Sequence, residues 1–507
     1  MKTKVLFFFL STLFLFTACD NSPEILPELK STNQLISFKF EKDKNVDYLE
    51  SDIEGIIQNE EIKLTISEEI NATKLIATFT HNGEEVTINN TIQISGITAN
   101  DFSKPTVYVV EAENGSKKSY TVNITWIGEE IAQIPHLYID TENKQPIDLK
   151  KVYRTGTLRI DGGDKYEDFE GGMSIRGRGN STWEMPKKPY RIKLDSKASL
   201  LGLSAEKDWV LLQNYIDPSL MSNAVAMKTG QLLEMPFTHH IIPVDVTLNG
   251  EYIGNYTFTE HKEVEDNRIN VGDGGWLIEL DEYFDEVWKF KSNRFQLPVM
   301  IQYPELDKMT DATEAQLIFD EIKSDFNSMD ELIFDESFPN NNYLEYFDAD
   351  AFINYLIVYT LTGNEEINHP KSTYIYKKKG EKYSMGPIWD FDWAFGFEGT
   401  YTHFVDPGRK LFWTGGNIRI GTRFFSKLMQ DPVLQDLYRT EWSKFKTQKY
   451  PILVEYIKEY AETIRESHAK DQVRWEQSTG SIDKYRDRLL DWLNERVDYM
   501  DNFYVGS

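Results

Sequence analysis

The sequence predicts an α+β protein in which an all-β sandwich precedes a larger domain with a strand-rich half and a helical half. From Gln34 to Ile127, short alternating apolar runs are separated by turn residues, as is typical of a β-sandwich. From Ile134, strands are predicted to about Leu297, and apolar residues recur at helical spacing after Thr310. A strand-rich half followed by a helical half is typical of an α+β domain with two lobes.

Length and charge narrow the class of protein. The chain has 507 residues, which is too long for one ordinary domain. Its 82 acidic residues outnumber its 55 basic residues and give a formal net charge of -27, which repels polyanions. We therefore expect no nucleic-acid partner.

The N-terminus has the features of an export signal. Two lysines precede the apolar run 5–18, which has the length of a signal-peptide core. The only cysteine, Cys19, follows small residues at the end of that run, as in a bacterial lipobox; a chance cysteine in a cleaved peptide is the alternative. We expect residues 1–19 to be a lipoprotein signal peptide, Cys19 to carry the lipid, and 20–33 to be a linker. The mature protein would then be exported and lipid-anchored in the cell envelope, at the outer membrane.

The predicted sandwich, residues 34–127, has an immunoglobulin-like pattern of short strands. Asn82-Gly83 and Asn114-Gly115 each lie between β-rich runs, which predicts two hairpins. The region resembles small N-terminal β-sandwich domains of surface lipoproteins from Bacteroides-type bacteria. Nothing in it suggests catalysis, so a spacer role is expected.

The second domain is predicted to span residues 134–505. Asn249-Gly250 predicts a hairpin in its strand-rich half. Apolar spacing of three and four residues predicts helices in the other half. These helices are predicted at Ala312 to Phe334, Asp348 to Thr362, Arg423 to Phe445, Ile452 to Ser467 and Ile482 to Phe503.

A basic, glycine-rich run lies at Gly171 to Leu194, "GGMSIRGRGNSTWEMPKKPYRIKL". Cations and backbone N–H groups on a close-approaching backbone suit phosphate recognition, although the run is not a Walker A loop. A solvated basic hairpin that pairs with acids elsewhere is the alternative. The basic residues of the run are Arg176, Arg178, Lys187, Lys188, Arg191 and Lys193.

An acidic cluster follows the Asn249-Gly250 hairpin. Glu260 ends a predicted strand, and Glu279 and Asp281 share one face of another in "GGWLIELDE". These acids could orient a lysine or bind a cation, but exposed acidic strand edges are also common.

The stretch "GPIWDFDWAFG" carries two carboxylates, which would share one face if the stretch is a strand. It follows a helix that Asp348 can cap, an acidic loop with Glu365 and Glu366, and a predicted hairpin. That order of parts is found in the catalytic segment of protein kinases. Asp390 and Asp392 would then bind Mg²⁺; alternatively, the aromatic face of the strand fills the core and both acids face water.

Four motifs in order resemble the CotH family, which is related to atypical protein kinases: "IRGRGNSTW…KKPYRIKL", "LLGLSAEKDWVLLQNYIDPSLMSNAVA", "NGEYIGNYTFTE" and "GPIWDFDWAFG". The resemblance implies binding of ATP with Mg²⁺ or Mn²⁺ and phosphoryl transfer to a protein or other envelope hydroxyl. It implies that Asp390 and Asp392 bind the metal and that Glu260 orients a cation. The nucleotide-binding cations it implies are Arg178, Lys188, Arg191 and Lys193.

The sequence departs from the family pattern in the loop before the hairpin. Family members typically have "NWD" there, with an asparagine five residues after the Asp. This chain has "NEEINHPKS", in which Glu366 is the candidate base and Ser372 replaces the asparagine. Two other interpretations stay open: an inactive surface scaffold whose tryptophans bind glycans, and a glycosidase that uses the same two aspartates.

Overall fold

The computed structural model describes residues 29–49, 51–58, 60–67, 70–127, 134–396, 405–412, 418–476 and 480–502. The chain divides into two compact units, Met1–Ile131 and Ala132–Ser507. Cys19 and the predicted signal peptide lie outside the described residues. Within those residues, the helices are too short or too polar to cross a membrane.

The first unit is a β-sandwich. One sheet has the order β2-β1-β5-β8 and the other the order β3-β4-β10-β9-β6-β7. The core between them contains Phe38 and Tyr108, whose rings meet edge to face at 5.2 Å. The strands are β1 (Leu35–Phe40), β2 (Ile53–Glu54), β3 (Ile56–Gln58), β4 (Glu61–Ser67), β5 (Leu75–His81), β6 (Glu85–Ile88), β7 (Thr91–Ile92), β8 (Ala99–Asn100), β9 (Thr106–Glu111) and β10 (Lys117–Ile127).

One of the two predicted sandwich hairpins is confirmed and the other is wrong. Asn114-Gly115 joins the antiparallel pair β9 and β10. Asn82-Gly83 instead joins β5 to β6, which belong to different sheets. Asn82 exchanges hydrogen bonds with Gln34, its amide N–H donating to the Gln34 carbonyl and its side-chain oxygen accepting from the Gln34 amide. These bonds hold the Asn-Gly pair at the edge of β1 and allow the chain to cross between sheets.

The second unit begins with a closed barrel of order β11-β12-β13-β14-β15-β17-β16. Its interior is apolar and includes Ile175, Ile192, Trp209 and Phe258. The predicted Asn249-Gly250 hairpin is confirmed, with φ of 54° and 89° as a type I′ turn requires. The barrel strands are β11 (His136–Thr141), β12 (Arg154–Asp161), β13 (Phe169–Gly177), β14 (Tyr190–Ala198), β15 (Glu206–Leu212), β16 (Ile242–Leu248) and β17 (Glu251–Glu260).

A helix that the sequence pattern did not indicate, α1 (Ser222–Leu232), lies between β15 and β16. Most of its residues are buried, including the polar Ser222, Asn223 and Thr229. A helix enclosed on nearly all sides has no polar face, so its apolar residues show no clear period of 3.6.

A second sheet and the helical half complete this unit. The sheet has the order β19-β20-β18-β21-β22. Its strands are β18 (Trp276–Leu280), β19 (Lys289–Lys291), β20 (Pro298–Tyr303), β21 (Thr373–Lys377) and β22 (Ser384–Met385). The helices are α2 (Ala312–Phe334), α3 (Ala349–Thr362), α4 (Ile420–Leu428), α5 (Pro432–Lys444), α6 (Tyr450–Thr463), α7 (Arg465–Trp475) and α8 (Ile482–Asn502).

Capping residues explain where the helices begin and end. The side chain of Asp348 accepts a hydrogen bond from the Ala351 amide, and Gly363 ends α3 at a φ of 65°. The single helix predicted from Arg423 to Phe445 is two helices, because Asp431 caps a new start with proline in its first turn. The helix predicted from Ile452 is likewise divided near Ile464.

The stretch 386–396 is a loop, so the prediction of a strand there is wrong. Strand β22 ends at Met385, and Asp390 has a φ of 67°. Asparagine side chains take the place of a neighbouring strand: Asn223 accepts from the Phe391 amide at 3.0 Å, and Asn364 donates to the Asp390 carbonyl at 2.9 Å. The hairpin of β21 and β22 before the loop is confirmed.

Candidate functional site

Helix α1 holds the carboxylate loop through one asparagine. The Asn223 side chain donates to Asp392 Oδ1 at 2.5 Å while its own oxygen accepts from the Phe391 amide. Asn214 accepts a further hydrogen bond from Asn223 at 3.3 Å. Asp392 is buried, with 8% of its surface exposed. Its position is therefore set by a helix far away in the sequence.

Asp390 lies beside Asp392 in this loop, and its conformation is unusual. A positive φ at an aspartate is uncommon and is more frequent at functional sites. Among the described residues, none donates a hydrogen bond to its carboxylate. The preceding residue, Trp389, is buried against the guanidinium of Arg178, 5.6 Å from the ring centre, and against His239 at 4.6 Å.

Glu366 is brought to the same loop by Asn364. The Asn364 side chain accepts from the Glu366 amide at 3.0 Å and donates to the Asp390 carbonyl at 2.9 Å, so it joins the two segments. Oε2 of Glu366 is buried without a hydrogen-bond partner among the described residues. Glu365, by contrast, forms an ion pair with Arg409. Of the two glutamates in this loop, Glu366 is the one next to the aspartates.

Burial and mutual repulsion disfavour ionisation of all three carboxyls. Burial, followed by the charge of Asp390, raises the pKa of Glu366 well above its usual range. Burial raises the pKa of Asp392 to about 7, and the charges of Asp390 and Asp217 add to the effect. Burial also raises the pKa of Asp390, although Arg178 and Lys262 oppose the rise. In this group, which we call the carboxylate cluster (Asp390, Asp392 and Glu366), the pKa values stay raised despite the nearby cations.

Three cations face this cluster. Arg178 is the one that the sequence predicted, and the charges of both aspartates act on it. Lys262 lies 4.3 Å from the ring centre of Tyr374 and acts on Asp390. Lys371 lowers the pKa of both Asp390 and Glu366. Sequence reasoning missed Lys262 and Lys371; the only available signal was their position beside the acidic motifs "TEHKE" and "NEEINHPK".

The other predicted phosphate ligands contact protein groups. Lys188 donates to the Trp183 carbonyl at 2.7 Å. Arg191 forms an ion pair with Asp208 at 2.6 Å, and half-exposed Lys193 lies 4.0 Å from the same carboxylate. Fully buried Lys187 pairs with Asp471 of α7 at 2.5 Å. Much of the basic run therefore pairs with acidic residues elsewhere in the unit. Of the four predicted nucleotide-binding cations, the structure brings only Arg178 to the cluster.

Glu260 does not orient a cation of the basic run, and that expectation is wrong. Its carboxylate accepts from the His240 amide at 2.9 Å and contacts His240 Nδ1 at 2.6 Å. This contact raises the pKa of His240. The pairing is local, because His240 lies two residues before β16, which is hydrogen-bonded to β17, the strand of Glu260.

Glu279 and Asp281 are buried close to the cluster and do not form an exposed edge. Tyr374 donates to Glu279 at 2.5 Å, and Lys262 lies 3.5 Å from the same carboxylate. Burial raises the pKa of Glu279 to about 7. Asp281 accepts from the backbone amides of Tyr283 and Ser372. These contacts place Ser372 on Asp281, although the family pattern has an asparagine at that position.

The oxygen atoms of the carboxylate cluster show whether these residues are suited to binding a divalent cation. Within the described ranges, no group of three or more His, Cys, Asp or Glu residues is arranged to hold a metal. Mg²⁺ is commonly bound by one or two carboxylates together with water and substrate phosphates, and does not need a complete protein cage. Asp390 and Asp392, with unfilled acceptor positions in a buried acidic region, fit that mode of binding.

Comparison with known proteins identifies the second unit. A family model described as "CotH kinase protein" matches residues 175–500. The chain belongs to the CotH family. This membership confirms the resemblance found in the motifs and the predicted α+β kinase-like class.

The CotH unit is preceded by a second matched region. The model "SGBP, N-terminal", of the surface glycan-binding protein type, matches residues 35–124. This match indicates a surface-exposed protein of the Bacteroides type. No curated protein matches the chain.

A solved structure described as a "putative glycoside hydrolase" from Bacteroides thetaiotaomicron VPI-5482 is similar to part of the chain. It shares 15% identity and covers 58% of this chain and 89% of its own, with a TM-score of 0.16. A score this low supports neither a shared fold nor a shared activity.

Proposed function

We propose that the CotH unit binds ATP together with Mg²⁺ or Mn²⁺ at the carboxylate cluster. The observation that carries this proposal is the set of three buried or half-buried carboxyls whose pKa values stay raised although cations lie near them. A buried negative charge is costly unless it is paired or coordinates a metal. A divalent cation with bound phosphates satisfies both requirements at one place.

Each residue has a distinct part in this proposal. Asp390 and Asp392 supply the carboxylate oxygens, and Asn223 and Asn364 fix the backbone on which they lie. Arg178 supplies positive charge that interacts with both aspartates and stays ionised despite its burial. A bound metal–ATP complex would supply the transferable phosphoryl group, and its metal ion would offset the charge of the aspartates.

Phosphoryl transfer is the second step of the proposal, with Glu366 as the base. A base must accept the proton of the attacking hydroxyl, so its carboxyl must be ionised. Burial and the charge of Asp390 raise the pKa of Glu366 and so favour its protonated form. Positive charge from a metal ion at the aspartates would favour ionisation of Glu366, which links proton acceptance to metal binding. The acceptor is a hydroxyl of a protein or of another envelope component.

Binding is tested on the full chain by thermal unfolding and titration calorimetry with Mn²⁺, ATP and Mn²⁺-ATP. We expect Mn²⁺-ATP to raise the Tm of wild type and to have no effect on Asp390→Asn or Asp392→Asn. The control is Asp350→Asn, an exposed acid in the first turn of α3. An unchanged wild-type Tm, or equal shifts in all variants, would contradict the proposal.

Transfer is tested separately by Glu366→Gln, which keeps the shape of the side chain. Release or incorporation of the γ-phosphate should fall by a factor of about 10² or more, the usual contribution of a general base, while Mn²⁺-ATP affinity is retained. If Mn²⁺-ATP binds but wild type and Glu366→Gln are equally inactive, the unit is a nucleotide-binding scaffold.

We also propose that Cys19 attaches the exported protein to the outer membrane through a lipid. The support is the lipobox-like position of Cys19 and the surface-protein type of the matched N-terminal region. Labelling with a radioactive fatty acid should mark wild type and not Cys19→Ala. Digestion of the protein by protease added to intact cells would establish surface exposure; protection would place the protein on the inner leaflet.

Glycan binding by the first unit is the second candidate function, favoured by the SGBP-type match. Isolated surface polysaccharide should bind the full chain, and neither nucleotide nor Asp390→Asn should change that affinity. Competition by Mn²⁺-ATP would instead place the glycan at the carboxylate cluster.

A further inference from the structure

A cavity of about 230 Å³ lies where α1 and α6 meet the barrel. Its wall is largely apolar and includes Leu203, Met227 and Ile242. Tyr166, Lys228, His240 and Tyr456 supply polar groups to the same lining. None of its lining residues belongs to the carboxylate cluster, although α1 carries both Lys228 and Asn223.

Lys228 is a half-buried cation without an acidic partner in the described part of the chain. Its Nζ lies 5.2 Å from the ring centre of Tyr456. The chain has 82 acidic and only 55 basic residues, so a lysine that lacks an acidic partner is unexpected on composition. An ammonium held against an aromatic ring and an apolar wall is well placed to receive an anion.

The other polar groups of the lining also have unused hydrogen-bonding capacity. Glu260 accepts from the His240 amide and occupies Nδ1, which leaves Nε2 without a protein partner in the described structure. The hydroxyl groups of Tyr166 and Tyr456 likewise make no hydrogen bond to the described residues. No aspartate or glutamate lines the cavity. The polar groups offered to a ligand are therefore mainly hydrogen-bond donors.

We propose that this cavity binds a small organic carboxylate with an apolar body. Lys228 pairs with the carboxylate, the tyrosine hydroxyls and the protonated form of His240 donate hydrogen bonds, and the apolar wall covers the body. The volume is below the usual range of about 300–1,000 Å³ for drug-sized ligands, so the ligand is a small metabolite. One lysine and one histidine match a single negative charge better than a polyphosphate.

The test uses benzoate as the probe and benzamide as its uncharged counterpart of similar shape. Titration calorimetry and saturation-transfer NMR on the full chain should give saturable benzoate binding, with benzamide at least about tenfold weaker. Lys228→Met keeps the apolar stem of the side chain and removes the charge. It should weaken benzoate by about tenfold or more, as expected for loss of one charge-assisted hydrogen bond, and leave benzamide unchanged.

The matched control is Lys458→Met, which removes an exposed lysine of α6 that pairs with Glu455. It should leave benzoate affinity unchanged. Unaltered benzamide binding by Lys228→Met shows that the cavity has kept its shape, so that a loss of benzoate affinity reports on the charge. The proposal is overturned if wild type shows no saturable benzoate binding, if both probes bind equally, or if both lysine variants behave alike.

Discussion

Replacement of His239 by leucine should make the second unit less sensitive to acid. His239 is fully buried between Phe237, at 4.9 Å between ring centres, and Trp389, at 4.6 Å. Neither ring nitrogen has a hydrogen-bond partner in the part of the chain that the structure describes, and burial lowers the pKa of the imidazole to about 3. The folded protein therefore holds a neutral histidine at pH values where the unfolded chain binds a proton.

The sign and size of the effect follow from the two pKa values. The folded pKa of about 3 lies below the ordinary value of 6.5, so the neutral ring contributes full stability above pH 6.5 and loses it as pH falls. Between pH 6.5 and pH 5 the loss is about 1.5 pH units at 1.36 kcal/mol each, or about 2 kcal/mol. His239→Leu has no proton to bind and should lack this part of the acid sensitivity. At pH 8 the substitution should leave the free energy of unfolding nearly unchanged, because an apolar group of similar size replaces two unpaired nitrogens.

The assay is urea unfolding of both proteins at pH 8 and pH 5, read as the transition of the second unit. The stability difference, variant minus wild type, should rise by about 2 kcal/mol from pH 8 to pH 5. His240→Leu is the control of opposite sign, because the Glu260 contact raises the pKa of His240. The stability that His240 contributes is present below pH 6.5 and is lost above its folded pKa. His240→Leu should therefore lower the free energy of unfolding more at pH 5 than at pH 8. Parallel pH profiles for wild type and His239→Leu would refute the reasoning.

Three further substitutions test contacts around the barrel and the loop. Gly254→Ala should lower the free energy of unfolding by at least about 2 kcal/mol in urea titration, because its Cβ would lie 2.2 Å from Asp471 Oδ1 at a φ of 109°. Lys187→Met should cost about 3–5 kcal/mol by the same measurement, since it leaves the carboxylate of Asp471 buried and unpaired; a cost below 1 kcal/mol would contradict this. Asn223→Ala should lower the free energy of unfolding by about 2–4 kcal/mol and weaken Mn²⁺-ATP binding in calorimetry, since it removes hydrogen bonds to Phe391 and Asp392. Unchanged Mn²⁺-ATP affinity would show that the loop does not contribute to nucleotide binding.

The candidate site was only partly visible in the sequence. The motifs identified Asp390, Asp392 and Arg178, because those residues lie in short segments with a distinctive order. Choosing between Glu365 and Glu366 required the structure, since the choice depends on Arg409. Arg191 and Lys193 resemble phosphate ligands in sequence, yet both face Asp208 on the neighbouring strand. A run of cations shows where positive charge is concentrated but not which acid each cation meets.

The sequence by itself determined the local elements and the family. Periods of two and of about 3.6 residues reflect the backbone geometry of short segments, so strands and amphipathic helices could be assigned from neighbouring residues. Helix α3, with Asp348 at its start and Gly363 at its end, is an example in which every signal is local. Four motifs in the CotH order then identified the second unit.

Only the tertiary structure decided how the carboxylate loop is built. Its sequence pattern fits a strand, but the segment forms a loop. The Phe391 amide donates its hydrogen bond to Asn223, 168 residues earlier in the chain, and not to a neighbouring strand. The buried helix that carries Asn223 also escaped prediction, because burial on nearly all sides removes the amphipathic period. Hydrogen-bond partners this distant in sequence depend on the packing of the whole unit, so they cannot be predicted from a local sequence pattern.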